Sequence, residues 1–450
     1  MFEENRHTIY ALASGKGRAG VAVVRISGPS CKSLYSSLTK QKIPLPRKVV
    51  LRSLHNFNKQ IKIDDALVLW FEGPNSFTGE DVLEFHVHGG PAVLKSLEAA
   101  VLMHPNLRVA EAGEFSRRAF ENDKLDLTQI EGVNDLVWAE TKAQQALALK
   151  QMDGKLGQLY EMWRAQLIGA LAHLEADIDF PEEDLPEGFV EGVRAKIKAL
   201  FNDIKNHLDD KGRGERIRRG YGVVIVGPPN IGKSSFLNFL ADEDIAIVSE
   251  VAGTTRDIIE IRLDLGGYPV TFFDTAGLRE TNDAIEQEGV KRARAKADQA
   301  DLKIVLSDSQ IWPELSPGVS DLIDDQSILV LNKVDKALNV SRETRAQLPC
   351  PWFFLSSTEG QGFPEFLAFL EKGIISSLEL GEAPNLTQAR HRQALEECQS
   401  SLLRFLKGSL DPALRAEDIR IASRALGKIT GRVDVEDVLD LVFAEFCIGK

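Results

Sequence analysis

Cysteine is scarce: Cys31, Cys350, Cys398 and Cys447 are the four in 450 residues. They are widely separated, so neither a disulfide framework nor a cysteine-based metal knuckle is supported, and a reducing compartment is expected. Long apolar runs are also missing. No uncharged apolar stretch reaches the roughly 18 residues that a membrane helix needs. The first ten residues carry Glu3 and Glu4 without an apolar core run, which argues against a secretory signal or an Arg-rich transit peptide. A cytoplasmic location is therefore expected. Positive charge is deficient: 54 Lys and Arg face 67 Asp and Glu, a net charge of −13. Such a field repels nucleic acid, so any RNA contact needs a local basic patch or a helper protein.

What is present is ordinary globular composition, 43% hydrophobic and 27% charged. A chain of 450 residues exceeds one ordinary core, so two or three domains are expected. Residues 1–120 read as an α+β domain with antiparallel pairing: β-branched runs at Val21–Ile26, Lys48–Leu51, Ala66–Phe71 and Val82–Val87 are punctuated by Gly and Pro clusters. Proline is absent from Leu125 to Asp179, where apolar residues from Leu147 to Leu174 follow a helical beat. Pro181 and Pro186 end that stretch, and a further helix is predicted over Val190–Leu208. The basic, glycine-punctuated segment Lys211–Gly220 reads first as a solvated linker and second as a nucleic-acid patch. Strand and helix alternate from Gly222 to about Leu378, the pattern of a mainly parallel α/β sheet. Helical spacing returns over Thr387–Leu406 and Ala416–Phe443. The simplest arrangement is a helical domain made of residues 121–216 and 376–450, with an α/β domain, residues 217–375, inserted between its halves.

The inserted segment carries chemistry. Gly227–Ser234, GPPNIGKS, fits G-x-x-x-x-G-K-[ST] between an apolar run, Val223–Val226, and a helical pattern, Ser235–Leu240. Its glycines let backbone N–H groups face phosphates, and the following helix N-terminus favours the anion. Lys233 would meet the β- and γ-phosphates, and the Ser234 hydroxyl would ligate Mg²⁺. Asp274–Gly277, DTAG, follows the apolar run Val270–Phe273. Asp274 can hold Mg²⁺ through water, and the Gly277 amide can sense a γ-phosphate. Asn332–Asp335, NKVD, follows Ile328–Leu331. The Asp335 carboxylate can accept from the ring N–H and exocyclic amine of guanine, a donor pair adenine lacks. Ser356, Ser357 and Thr358 stand where GTPases support the base from its other side. Together the motifs imply GTP binding.

Hydrolysis is less plain. Many GTPases orient the attacking water with a glutamine just after the DxxG glycine. Here that position is Leu278, which cannot hydrogen-bond. Glu286 is the nearest plausible carboxylate, although an acid in such a loop is more often simply solvated. Arg279 and Arg256 are unranked candidates for an arginine finger.

At this point the chain closely resembles the bacterial tRNA modification GTPases of the MnmE, or TrmE, family. The resemblance rests on VRISG around Arg25, PNSFTGED at 74–81, Glu84 followed by HGG at 88–90, GEFSRRAFEN at 113–122, and KLDL at 124–127. It continues through PNIGKS, GTTRD at 253–257, DTAGLRE at 274–280 and a terminal FCIGK ending at Lys450. It implies a homodimer whose N-terminal domain binds a formyl- or methylene-tetrahydrofolate, followed by a helical domain with an inserted GTPase domain. With a flavoprotein partner (MnmG, or GidA), such proteins convert C5 of the wobble uridine of certain tRNAs to carboxymethylaminomethyluridine. The resemblance places the folate against Arg25, Glu84, Lys124 and Lys450. It places a potassium ion on Asn230, Ser249, Val251 and Thr254, with Thr255 a further Mg²⁺ ligand. Potassium would supply the positive charge that an arginine finger gives elsewhere. Glu286 becomes the water-orienting group beside Lys233. The implied nucleotide-binding set is Asn230, Ile231, Gly232, Lys233, Ser234 and Ser235; Ser249, Glu250, Val251, Ala252, Gly253, Thr254 and Thr255; Asp274, Thr275, Ala276 and Gly277; Asn332, Lys333, Val334 and Asp335; and Ser356, Ser357 and Thr358. Cys447 lies in the tail. A free cysteine is more often a small buried hydrophobe, but this one is kept as a candidate near the folate.

Two other readings are open. A ribosome-assembly switch of the Era or EngA type shares the asparagine-bearing P-loop but should lack FTGED…HGG and FCIGK. A folate-binding one-carbon enzyme could carry a purely regulatory GTPase domain.

Overall fold

The structure, a computed structural model, describes residues 7–449 apart from 58–60, 180–188, 229, 243–244, 248–259, 275–299, 316, 338–347, 382–383, 409–410, 434–438, 440–441, 444–445 and 447–448. The chain forms two compact units. The first comprises Met1–Asn134, Met152–Glu182 and Asp411–Lys450, and the second Asp135–Gln151 and Glu183–Leu410.

The first unit holds a six-stranded sheet in the order β3-β4-β5-β2-β1-β6. Its strands are β1 (Thr8–Leu12), β2 (Ala19–Ser27), β3 (Val50–His55), β4 (Lys62–Phe71), β5 (Val82–Gly89) and β6 (Leu107–Val109). Pairing is antiparallel except for β1 with β6. Strand alternation splits the faces. Val24 and Ile26 of β2 and Leu83 and Phe85 of β5 share a core with Leu34 and Tyr35 of the helix Cys31–Thr39 and Leu97 and Val101 of the helix Pro91–Leu102. Arg25 and Glu84, the intervening residues, take the other face, directly opposite each other in register. The β1 and β6 segments lie outside the four expected strands; β6 has only three residues, too few for a periodic signal.

The expected helical stretch from Leu125 is three helices, Leu127–Trp138, Lys142–Met152 and Lys155–Asp179. Gly154 separates the last two at φ +75, a left-handed conformation where a Cβ would also stand 2.9 Å from the Gln129 amide nitrogen. The C-terminal helical stretch is interrupted: the helix Pro412–Thr430 stops at Gly431, and Leu439, Val442 and Phe443 beyond it are again helical. Gly431 adopts φ +88, and a side chain there would meet the Phe120 ring at 2.6 Å. Within this unit Lys155–Asp179 packs along Pro412–Thr430.

The second unit is built on a six-stranded sheet in the order β12-β11-β10-β7-β9-β8. Its strands are β7 (Tyr221–Val226), β8 (Glu260–Leu265), β9 (Tyr268–Asp274), β10 (Leu302–Asp308), β11 (Ser327–Asn332) and β12 (Trp352–Phe354). All pairs are parallel except β8 with β9. Every residue of β11 is buried, which is why SILVLN runs apolar without alternation. The helix Phe363–Leu378 packs Phe363, Phe366, Leu370 and Ile374 into the same core as Phe236 and Leu240. The helix Phe189–Leu208 pairs with Ala389–Lys407.

One expectation is overturned. The segment Lys211–Gly220 is not a solvated linker, nor a free basic patch: Arg213–Arg219 is a helix whose arginines bond to protein acids and carbonyls. Composition alone reads four exposed cations there because their acidic partners lie far away in sequence.

Candidate nucleotide site and N-terminal cavity

β7 is central, flanked by β9 and β10, so its carboxyl end opens at the point where strand order reverses, the usual ligand position in such sheets. The chain leaves β7 into the P-loop and enters the helix Lys233–Ala241. Gly227 (φ +154) and Gly232 (φ +102) take conformations open to glycine, and a Cβ on Gly227 would meet the Leu306 carbonyl at 2.6 Å. Asn230 holds φ +61, an uncommon left-handed state that asparagine tolerates better than most residues. Ile231 is buried, and Ser234 and Ser235 stand in the first turn of the helix. Lys233 Nζ donates to the carbonyls of Gly227 (2.9 Å) and Pro228 (3.0 Å), which hold the ammonium against the loop.

Asn332, 2% exposed at the end of β11, ties the loops together. Its Nδ2 donates to the Ile231 carbonyl at 2.9 Å, and its Oδ1 accepts from the Ser357 amide (3.1 Å) and hydroxyl (2.9 Å). Asparagine suits this place because one side chain both donates and accepts. Gly232 leaves room for it: a Cβ there would stand 2.5 Å from Asn332 Nδ2. Lys333, at φ +66, pairs with Asp308 at 3.1 Å. Val334 and Asp335 follow in a single 3₁₀ turn. Ser356, fully buried, donates to Asp335 Oδ1 at 2.7 Å and lies 3.1 Å from the Thr358 hydroxyl. The sequence offered Ser356–Thr358 only as base support; Ser356 also fixes the Asp335 carboxylate.

The strand β9 ends at Asp274. Ser249, Glu250, Val251, Ala252, Gly253, Thr254, Thr255, Thr275, Ala276, Gly277, Leu278 and Glu286 lie outside the described residues, as do the candidate arginines Arg256 and Arg279.

In the first unit, Arg25 and Glu84 line a cavity of about 350 Å³ with Phe71, Phe77, Val82 and Val133. Arg25 Nε donates to Glu84 Oε1 at 2.8 Å, and the guanidinium lies over the Phe115 ring, 5.9 Å from its centre. Glu84 Oε2 is 3.3 Å from His86 Nε2. The tail reaches the same place: the Gly449 carbonyl is 3.5 Å from Arg25 Nη1. Glycine is required there, since Gly449 has φ +110 and its Cβ would stand 2.3 Å from the Leu12 carbonyl. Phe443 and Phe446 anchor the tail against Leu127 and Ile130. Cys447 and Lys450 lie outside the described residues. The exposed Lys124 does not line the cavity; its stem passes Gly79, whose Cβ would be 3.3 Å from Lys124 Cγ.

A buried network holds the loop that carries Phe77. Arg118, 6% exposed, bonds Glu80 (2.9 Å) and Glu114 (2.8 Å), while Ser27 bonds Thr78 and Glu80, each at 2.7 Å. Burial works against the charge of Glu114, but hydrogen bonds from Arg108, the Glu111 amide and Arg118 outweigh it and hold its pKa below the ordinary glutamate value. Phe71, Phe77 and this network escaped the sequence reading. FTGED and GEFSRRAF lie far apart in sequence and meet only in the fold, through Arg118 and Glu80. The described cysteines, Cys31, Cys350 and Cys398, are buried, and burial raises all three thiol pKa values, Cys398 to about 12, so they are poor nucleophiles.

Comparison with known proteins bears on both sites. Residues 8–124 match the family description "GTP-binding protein TrmE N-terminus", and residues 127–447 match "MnmE helical domain". The tRNA modification GTPase MnmE of Parvibaculum lavamentivorans is 50% identical, over 98% of this chain and 100% of that protein. Its counterpart in Paramagnetospirillum magneticum is 49% identical over 98% and 99%. The mitochondrial 5-taurinomethyluridine-[tRNA] synthase subunit GTPB3 of Danio rerio is 45% identical over 98% and 93%.

Proposed function

Since the chain belongs to the MnmE family of tRNA modification GTPases, we propose that it joins potassium-dependent GTP hydrolysis to the transfer of a folate-borne carbon onto a tRNA uridine. GTP is its substrate, and tRNA modification is its task. The finer reading is a homodimer working with a flavoprotein of the MnmG (GidA) type at C5 of the wobble uridine, giving carboxymethylaminomethyluridine. The domain boundaries we assign are 1–120, 121–216 with 376–450, and 217–375.

One observation carries the folate reading: an arginine–glutamate pair, 25% and 14% exposed, lines a cavity beside Phe71 and Phe77. A pterin fits such a set. Glutamate accepts from ring amine and amide donors, the aromatic walls suit a flat ring, and arginine or lysine suits the glutamate tail. When bound, tetrahydrofolate supplies the one-carbon unit. Glu84 would orient the ring, Arg25 would hold that carboxylate in place, and Lys124 and Lys450 would face the folate from the loop and the tail. Cys447 would stand near it. Calorimetric titration of the full chain with 5-formyltetrahydrofolate tests this. Arg25→Ala is expected to weaken binding at least ten-fold with GTP affinity unchanged, whereas unchanged folate binding would refute the assignment.

In the GTPase domain, Lys233 would neutralise phosphate charge, while Ser234, Thr255 and, through water, Asp274 would hold Mg²⁺. Asn230, already left-handed, would hold potassium with Ser249, Val251 and Thr254. Glu286 would position the attacking water in place of the glutamine that Leu278 replaces. GTP turnover should therefore fall sharply when Na⁺ replaces K⁺, and equal rates would remove the potassium proposal. The Era or EngA reading is not favoured, because both family matches cover segments outside the inserted domain.

A further inference from the structure

The four arginines of the helix Arg213–Arg219 each reach a different part of the second unit or share one deeply buried acid. Asp301, whose side chain is 4% exposed, receives Arg216 Nε at 2.9 Å and Arg219 Nη2 at 2.9 and 3.0 Å. The same carboxylate accepts from the Gly222 amide at 2.9 Å, and the Asp301 amide donates to the Gly222 carbonyl at 2.8 Å. Asp301 thus pins the starts of two neighbouring central strands, β7 and β10, to the helix. It is also the residue at which the chain, having left β9 at Asp274, re-enters the sheet just before β10.

The helix's remaining bonds lead away from the sheet. Arg218 Nε donates to Asp135 at 2.8 Å, and the Arg218 carbonyl accepts from Gln144 at 3.1 Å. Asp135 is the residue at which the chain first enters this unit. Arg213 donates to the carbonyls of Asp210 (3.0 Å) and Glu379 (3.1 Å). From the helix Ala389–Lys407, Arg392 closes the joint: it bonds the Leu208 carbonyl at 3.0 Å, Asp210 at 2.6 Å and Glu215 at 2.8 Å. The contact is close as well as polar. A Cβ on Gly214 would stand 2.1 Å from the Leu386 carbonyl, so only glycine lets the two segments approach.

A seven-residue helix is about 10 Å of stiff rod, and the buried Asp301 carboxylate, bonded to two of its arginines and to the Gly222 amide, fixes that rod against the sheet. Coupling between sites is carried by such contiguous packed and bonded elements. We propose that Arg213–Arg219 is a strut through which the nucleotide state of the sheet is imposed on the helical segment 135–151, with Asp301 the positioning residue at its input and Arg218 at its output. Neither residue belongs to the nucleotide site, so breaking the strut separates nucleotide binding from its consequence.

Hydrogen exchange of the full chain, with GDP and with a non-hydrolysable GTP analogue, tests this. In the native protein the amides of 142–152 should exchange at least two-fold differently between the two states. Asp301→Asn should cut that difference by more than half, while P-loop protection by either nucleotide and GDP affinity stay within two-fold of native. A difference that persists undiminished in the variant, or that is missing in the native protein while the P-loop is protected, overturns the proposal. Should Asp301→Asn not fold, Arg218→Gln breaks the partly exposed output end; the same loss is expected, and its persistence there is equally fatal.

Discussion

At the residue scale, the Asp335 carboxylate, proposed to read guanine, is held by a neighbour outside its own NKVD motif. Ser356 lies 21 positions from Asp335 and donates to it from a fully buried site. A hydrogen bond to a charged group is worth roughly 1.5–3 kcal/mol. Part of that is recovered by water once the hydroxyl is gone, so about 1 kcal/mol, or roughly five-fold, is the expected loss in GTP affinity for Ser356→Ala. Fluorescence titration with a labelled GTP reads it directly; unchanged affinity would mean that the bond does not matter to base recognition. The nucleotide motifs themselves were legible because each is contiguous and sits at a strand end, where backbone geometry follows from sequence. The role of Asn332 was not: its partners Ile231 and Ser357 lie 101 and 25 positions away. Similarly, that Arg25 and Glu84 stand directly opposite each other follows from the β2–β5 register and not from any contiguous motif.

At the scale of elements, the sequence located the strands of the parallel sheet through their unbroken apolar runs. It ran neighbouring helices together, since periodicity does not register the breaks at Gly154 and Gly431, both set by positive φ and by a neighbour's side chain. The joint between Phe189–Leu208 and Ala389–Lys407 was equally hidden, and it has a pH signature. His207 stands at the end of the first helix, near Asp210, Arg392 and His391. Burial lowers its pKa to about 4; Asp210 opposes this, and Arg392 and His391 add to it. The unfolded imidazole takes up a proton near its ordinary 6.5, and the folded one does not until about 4. The folded state thus binds fewer protons in that window, so its stability is full above about pH 6.5 and falls as pH drops towards 4, by up to about 1.4 kcal/mol per pH unit. The thermal midpoint of the second unit should therefore decline between pH 7 and 5, and His207→Leu should decline less. Parallel slopes for the two proteins would show that His207 is not the group responsible.

For the whole molecule, one chain carries a GTPase domain on a mainly parallel sheet and a cavity with an arginine–glutamate pair on a mainly antiparallel one. Composition gave no hint of the cavity, because five of its named walls, Arg25, Phe71, Phe77, Val82 and Glu84, come from strands and a loop that meet only in space. The glycine of the FCIGK tail makes the same point. Its place beside Leu12 and Arg25 is written in a close approach that only the folded chain reveals. If this reading is right, loss of the cavity should leave GTP hydrolysis running with nothing transferred. The decisive measurement supplies tRNA, GTP, the flavoprotein partner and methylene-tetrahydrofolate labelled with ¹³C at its one-carbon unit, followed by mass analysis of the released nucleosides. The account predicts ¹³C in the C5 substituent of the wobble uridine with the native protein, and its loss with Arg25→Ala while GTP is still hydrolysed. Wobble uridine modified without label by the native protein, or labelled equally by Arg25→Ala, would contradict it.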